Sequence, residues 1–225
     1  MTRAVMLFGA GFGTRMGTLT KDRPKPLIEV AGKPLLDHAL DLAAHIPRRV
    51  VNAHYHADQI VAHLAGTSTR VSVETPDILD TGGGLRAALP LLDTDPVMTL
   101  NTDAIWRGPN ALRLLESLWE PDRMDALLLC VPLGRARGRT GGGDFALKAD
   151  GQLKRGGDLV YTGAQILKTD RVARIQDRVF SLNRVWNDIA ADNRLFGAIY
   201  PGHWCDVGHP GGIAEAESLL GDRDV

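Results

Sequence analysis

The chain has 225 residues, with 26 Lys and Arg against 27 Asp and Glu and a formal net charge of −1. That balance argues against a general nucleic-acid or membrane-surface binder, which would carry a basic excess or stripe, whereas a small anionic substrate needs only local cations. The length suits one α/β domain, or one domain with a small lobe, and the second arrangement is expected. Two cysteines far apart in sequence, Cys130 and Cys205, no signal-peptide pattern and no apolar run of transmembrane length set the expectation of a reduced, soluble, cytoplasmic protein.

The first expected strand, 4–8, runs into Gly9, Ala10, Gly11, Phe12, Gly13 and Thr14, with Arg15 and then Lys25 behind. Glycines carry no Cβ, so the backbone can take positive φ and bring N–H groups close to phosphate oxygens, and the two cations supply countercharge. The pattern reads as a polyphosphate site of neither common kind. No G-x-x-x-x-G-K-[ST] occurs, and G-x-G-x-x-G fails because Thr14 or Met16 falls where its third small residue belongs. A helix is expected over 34–45, with Pro34 in its first turn, where its missing N–H costs nothing.

The next strand, 49–52, ends without an acidic residue to hold a ribose, which adds to the case against a dinucleotide oxidoreductase. His54 and His56 share an alternation spacing that a metal could use, but no third ligand follows, and a turn or helix start is the expectation. A helix over 57–64 and a strand over 71–74 lead to Asp80-Thr81-Gly82-Gly83-Gly84, a glycine-rich entry to a helix at 84–91 that Thr81 can cap. The apolar strand 97–100 then delivers Asn101, Thr102 and Asp103 at its carboxyl end, where open α/β sheets place ligands.

A helix over 110–119 and a strand over 126–131 complete a Rossmann-like first half, with Cys130 a small buried hydrophobe. Beyond Pro132 the texture turns to short β pieces: 145–148 and 152–154 meet at Asp150-Gly151, a hairpin signal, and a strand follows over 159–167. Helices are expected near 184–191 and over 212–220. The fold class is α/β, a Rossmann-like, mostly parallel sheet flanked by helices, with a small antiparallel β lid lobe that closes over one side of the site. No linker separates the halves, so they should share a core.

Ala10-Gly11-Phe12-Gly13-Thr14-Arg15-Met16 followed by Pro24-Lys25-Pro26-Leu27 resembles the opening signature of the sugar-phosphate nucleotidyltransferases, A-G-x-G-x-R-[ML] and P-K-P-L. Phe8 and Gly9 depart from the family's usual leucine and alanine. The resemblance implies the nucleotide-diphospho-sugar transferase fold and a reaction that joins a nucleoside triphosphate to a sugar 1-phosphate, releasing pyrophosphate. It implies a single domain, with 1–132 mainly the nucleotide-binding half and 133–225 mainly the sugar-binding half.

By the same resemblance Lys25 and Arg15 act on the phosphates, and Gly9, Ala10, Gly11, Gly13 and Thr14 cradle the nucleotide. Gly82 and Gly83 read the base through backbone groups. Asp103, with Asp206 in the late W-x-D-[VI]-G segment, holds Mg²⁺, which prefers oxygen ligands. Asn101, Gly143, Asp144, Thr162 and Gly163 contact the sugar, with Asp144 accepting from its hydroxyls.

Within the family the chain resembles, over almost its whole length, the uridylyltransferases that act on N-acetylmuramate 1-phosphate in peptidoglycan recycling. Mannose 1-phosphate guanylyltransferases and glucose 1-phosphate thymidylyltransferases are the alternatives. N-acetylmuramate carries a lactyl carboxylate, which matches the two-donor edge of a guanidinium, and Arg139 or Arg137 is the candidate reader. A non-catalytic nucleotide-sugar sensor would be expected to lose Lys25, Asp103 or Asp206, and all three are present. The partners expected are the two substrates, with no nucleic acid and no membrane, in a monomer or small homo-oligomer. So few residues follow the last helix that no hexapeptide-repeat β-helix is expected, and the chain should be monofunctional.

Overall fold

A computed structural model of the protein describes residues 2–221. In chain order the strands and helices of the first half are β1 (Ala4–Phe8), β2 (Glu29–Val30), β3 (Lys33–Pro34), α1 (Leu35–Leu42), β4 (Arg48–Ala53), α2 (Ala57–His63), β5 (Arg70–Val73), α3 (Asp80–Leu92), β6 (Val97–Asn101), β7 (Ala104–Arg107), α4 (Ala111–Leu118) and β8 (Ala126–Pro132). The remainder are β9 (Ala136–Arg137), β10 (Phe145–Leu147), β11 (Leu153–Arg155), β12 (Leu159–Leu167), α5 (Asp170–Arg174), α6 (Leu182–Ala191), β13 (Leu195–Ile199), β14 (His203–Asp206) and α7 (Pro210–Gly221). None of the described helices is long and apolar enough to cross a membrane.

The central sheet runs β5-β4-β1-β6-β12-β8-β13. β12 alone of these seven is antiparallel to its neighbours, so the mostly parallel sheet expected from the sequence is present. Side chains on β1 alternate between two cores, as the two-residue period of a strand requires. Val5 and Leu7 pack with Leu36 of α1, Ile60 of α2 and Leu112 of α4, while Ala4 and Met6 pack with Leu85 of α3, Val172 of α5 and Val185 of α6. Both cores draw residues from both halves of the chain.

The antiparallel β pieces expected after Pro132 are present. The β10–β11 hairpin, turned at Gly151 with φ +88°, pairs through Phe145 with Leu159, so it continues the central sheet along β12. β12 is a nine-residue central strand with neighbours on both sides. A separate three-stranded sheet, β7-β14-β9, lies under α7 with its own small core around Cys205, Val207, Ala216 and Leu219. Two helix starts also differ. Pro34 pairs with Glu29 and precedes α1, and α3 begins at Asp80 with no side-chain cap. Asn110 and Ser181 do cap α4 and α6, accepting from Leu112 and Arg113 N–H and from Asn183 N–H.

Asp125, at the start of β8, ties the far end of the sheet together. It accepts from Lys168 at 3.0 Å, Arg171 at 3.3 Å and Arg194 at 2.8 Å. Burial alone pushes its carboxyl up, but the bonds from Arg194 and Lys168 win and hold it below its ordinary value. A lowered carboxyl stabilises the fold above its unfolded pKa of about 3.9, and that gain is lost as pH falls through the folded value. Asp125→Ala is therefore expected to cost about 2 kcal/mol at pH 7, read as a lower urea midpoint. The gap to wild type should narrow below pH 4.

Candidate active site

The site lies at the carboxyl ends of β5, β4, β1 and β6. Adjacent strands are about 4.8 Å apart, so the line from Glu74, just beyond β5, to Asn101 of β6 spans about 14 Å. Along it runs a cavity of about 250 Å³. Asn52, Glu74, Ile78, Asp80 and Thr81 line it on the β5 side, Phe8 to Gly11 lie in the middle, and Lys25, Asn101, Thr102 and Asp103 line it on the β6 side.

Close backbone approach explains the glycines between. A Cβ on Gly9 would stand 2.9 Å from the Asn52 carbonyl, and the Gly9 N–H donates to Asn52 Oδ1 at 2.8 Å. Gly13, with φ +63°, starts a tight turn over Thr14–Thr20, and a Cβ there would stand 2.9 Å from Lys25 Cβ. Gly11 is open to space. Of the three loop glycines only Gly13 takes positive φ, so Gly9 is required by contact rather than by its dihedrals.

The loop thus rests on the Lys25 stem. Lys25 is 11 % exposed, and its Nζ donates to Asp103 Oδ2 at 2.7 Å. Thr102 donates its hydroxyl to the Phe8 carbonyl at 2.7 Å, which fastens the Asp103 loop to β1. β14 pairs with β7 so that Asp206 faces Ala104, and the Val207 N–H donates to the Asp103 carbonyl at 2.8 Å. Two residues far apart in sequence are thereby set side by side.

Burial, with the Asp103 charge adding to it, raises the Asp206 carboxyl above its ordinary value against the pull of Lys25, Arg15 and Arg139. The Arg15 guanidinium lies beside Gly208, where a Cβ would meet both it and Asp206 Oδ2. The donor set of two adjacent carboxylates is hard oxygen and fits Mg²⁺, which completes its shell with water and phosphate oxygens. Among the described residues no cluster of three or more His, Cys, Asp or Glu is placed to hold a metal by protein ligands alone.

A buried network that the sequence did not signal lies on the β5 side. Asn52 Nδ2 donates to Glu74 Oε1 at 2.6 Å, and the Leu79 N–H donates to Glu74 Oε2 at 2.7 Å. Neither residue belongs to a motif, and the only trace of their role is that each ends a strand aimed at the cavity. Cys130 and Cys205 stand apart from this chemistry: burial raises each thiol to about 12. His54 meets the Glu74 carbonyl and His56 precedes α2, the helix start expected for that pair.

Several expected contacts are placed otherwise. Gly82 and Gly83 sit inside α3 and both donate their N–H groups to the Phe180 carbonyl, so their backbone is not presented to a base. Side chains there would strike Phe180 and the Arg178 carbonyl, and one on Gly84 would come within 2.5 Å of Glu74 Oε1. The triple glycine is a packing device. Thr81 accepts from the Leu182 N–H instead of capping its own helix. Thr162 is 1 % exposed and its hydroxyl donates to the Leu129 carbonyl at 2.6 Å, which removes it as a sugar contact.

Gly163, with φ +89°, marks a bulge in β12 and makes room for Asn101, since a Cβ would stand 2.6 Å from Asn101 Cβ. Gly143 packs against Gly157. Asp144 uses one oxygen on Arg139 Nη2 at 2.9 Å and the other on the Tyr161 N–H at 2.9 Å. Arg139 Nε is buried without a hydrogen-bond partner among the described residues. Arg137 lies on β9 and lines a different cavity with Ala214, Glu215 and Ser218.

A model of the MobA-like NTP transferase domain family matches residues 5–224. An N-acetylmuramate alpha-1-phosphate uridylyltransferase of Caulobacter vibrioides is 40% identical over 98% of both chains. One of Neisseria meningitidis serogroup B is 31% identical over 96% of this chain and 97% of its own. Among solved structures, HddC from Yersinia pseudotuberculosis complexed with GMP-PN aligns with a TM-score of 0.76 over 97% of this chain and 100% of its own, at 19% identity, a likeness of fold.

A raised carboxyl binds its proton more tightly in the folded state, so its contribution is present at low pH and lost as pH rises through the folded value. At neutral pH the ionised Asp206 therefore strains the metal-free protein. Asp206→Asn is expected to raise the thermal midpoint in chelated buffer at pH 7, with the difference from wild type shrinking towards pH 4.

Proposed function

The chain belongs to the MobA-like NTP transferase domain family, and from that premise we propose that it joins UTP to N-acetylmuramate 1-phosphate, releasing pyrophosphate, in the recovery of cell-wall sugar. The observation that carries the chemistry is the Lys25 ammonium on Asp103, set beside Asp206 at the mouth of the glycine loop. The sugar and the base rest on the relatives, two of which bear that activity in their names.

The attacking group is a phosphate monoester with a second pKa of about 6, so at neutral pH it is largely ionised and needs no general base. The task left to the protein is to offset repulsion between two anions and the charge that grows on the α-phosphate and the departing pyrophosphate. Lys25 serves the α-phosphate and the incoming sugar phosphate, and Arg15 the β- and γ-phosphates. Gly9, Ala10, Gly11, Gly13 and Thr14 form the nucleotide cradle. Asp103 and Asp206 hold Mg²⁺, which when bound neutralises phosphate charge.

Every residue lining the main cavity falls within 1–132, in keeping with a nucleotide-binding half. The half from 133 onward contributes Asp206 and Arg139, and Asn101 with Gly163 forms the wall between. Asp144 positions Arg139, whose guanidinium takes the lactyl carboxylate of the sugar.

Pyrophosphate release from each common nucleoside triphosphate against a panel of sugar 1-phosphates, with Mg²⁺, tests the reading; silence with every pair would end it. Lys25→Ala should lower kcat by about 10²- to 10³-fold while the circular dichroism spectrum stays that of wild type, and normal turnover would remove Lys25 from the mechanism. Arg139→Ala should impair N-acetylmuramate 1-phosphate more than N-acetylglucosamine 1-phosphate, with Arg137→Ala neutral between them. Equal losses on both sugars in both variants would sink the carboxylate reader.

A further inference from the structure

The polar side chains around the main cavity are nearly all spoken for. Asn52 bonds Gly9 and Glu74, both Glu74 oxygens are taken, Thr102 bonds Phe8, and Lys25 and Asp103 hold each other. Two groups are left. The Asn101 side chain lies on the β6 side against Gly163, and Asp80 lies on the β5 side.

Asp80 receives the Thr81 N–H at 2.5 Å and the Thr81 hydroxyl at 3.2 Å on Oδ1, and its Oδ2 has no hydrogen-bond partner among the described residues. Its backbone has φ +60°, a region a non-glycine residue seldom enters and one that recurs at functional sites. That backbone is held from both sides, by Leu79 on Glu74 and by Gly82 and Gly83 on Phe180.

We infer that Asp80 selects the base, accepting the ring N–H of uracil on its free oxygen. The inference rests on the proposed nucleotide reaction. Lys25 and Arg15 gather the triphosphate on the β6 side, so the base falls on the β5 side, about three strand spacings or 14 Å away, where an anion repels phosphate and welcomes a donor. Uracil presents N3–H between two carbonyls. Asp80 is exposed at the rim of the cavity, and cytosine N3 and adenine N1 present lone pairs, which its carboxylate repels. Guanine offers a comparable N–H on a larger ring, so Asp80 separates uracil from cytosine and adenine, and ring size must deal with guanine.

Calorimetric titration of UTP and CTP, with Mg²⁺ and without sugar, into the wild-type protein, Asp80→Ala and Asp80→Asn tests this. Wild type should favour UTP by about tenfold or more. Asp80→Ala should weaken UTP about tenfold with CTP unchanged. Asp80→Asn tolerates the positive φ and adds an amide donor, so CTP should bind more tightly than to wild type, a gain that misfolding cannot produce. An unchanged UTP-to-CTP ratio across the three proteins overturns the assignment. If wild type binds no triphosphate, both the assignment and the reaction fall. If the ratio shifts as stated but no sugar phosphate yields pyrophosphate, the proposed reaction falls and the Asp80 assignment stands.

Discussion

The site depends on one backbone ladder. Two carboxylates and their attendant cations do not gather in a cleft unaided, since the carboxylates repel and burial penalises each charge. The pairing of β14 with β7, closed by the Val207 N–H on the Asp103 carbonyl, imposes that proximity through main-chain bonds that do not vary with protonation. The raised Asp206 carboxyl is the visible cost of the arrangement. In the free protein Lys25 offsets part of it by bonding Asp103.

The β5 side is organised by the opposite means, a fully bonded network. Glu74 is 3 % exposed, and its two oxygens join Asn52 of β4 to the turn that leads into α3. Asn52 in turn takes the Gly9 N–H, so the start of the glycine loop, two strand ends and the first turn of α3 form one hydrogen-bonded unit. A satisfied polar network of this kind gives rigidity and a unique arrangement. Asp80 stands at its margin, held but not consumed.

The parallel half of the sheet was legible because each strand is an apolar run bounded by turn residues, and β1 and β12 fall at the residues expected. The β13 strand was missed: Gly197 interrupts its short apolar pattern, and Asn193, in the left-handed region just before it, leaves no strong turn signature. The antiparallel part was legible from its hairpin signal, but how it joins the sheet was not. β12 runs back between β6 and β8, and nothing in its local pattern says which neighbours it will find. Lys25, Asp103 and Asp206 could be singled out because each sits in a motif at a strand end or turn. The Gly82 to Gly84 run and Thr162 misled because the residue types that suit ligand contact also suit close packing, and only Phe180, Glu74 and the Leu129 carbonyl decide between the two.

The wall of the main cavity is drawn from residues before Leu133, while Arg139 and the Asp144 that holds it come after. The two stretches are joined where β12 runs between β6 and β8 and where β14 returns to β7. On the proposed reading, a substitution at Arg139 or Asp144 would change the sugar end of the site and leave the wall of the cavity in place.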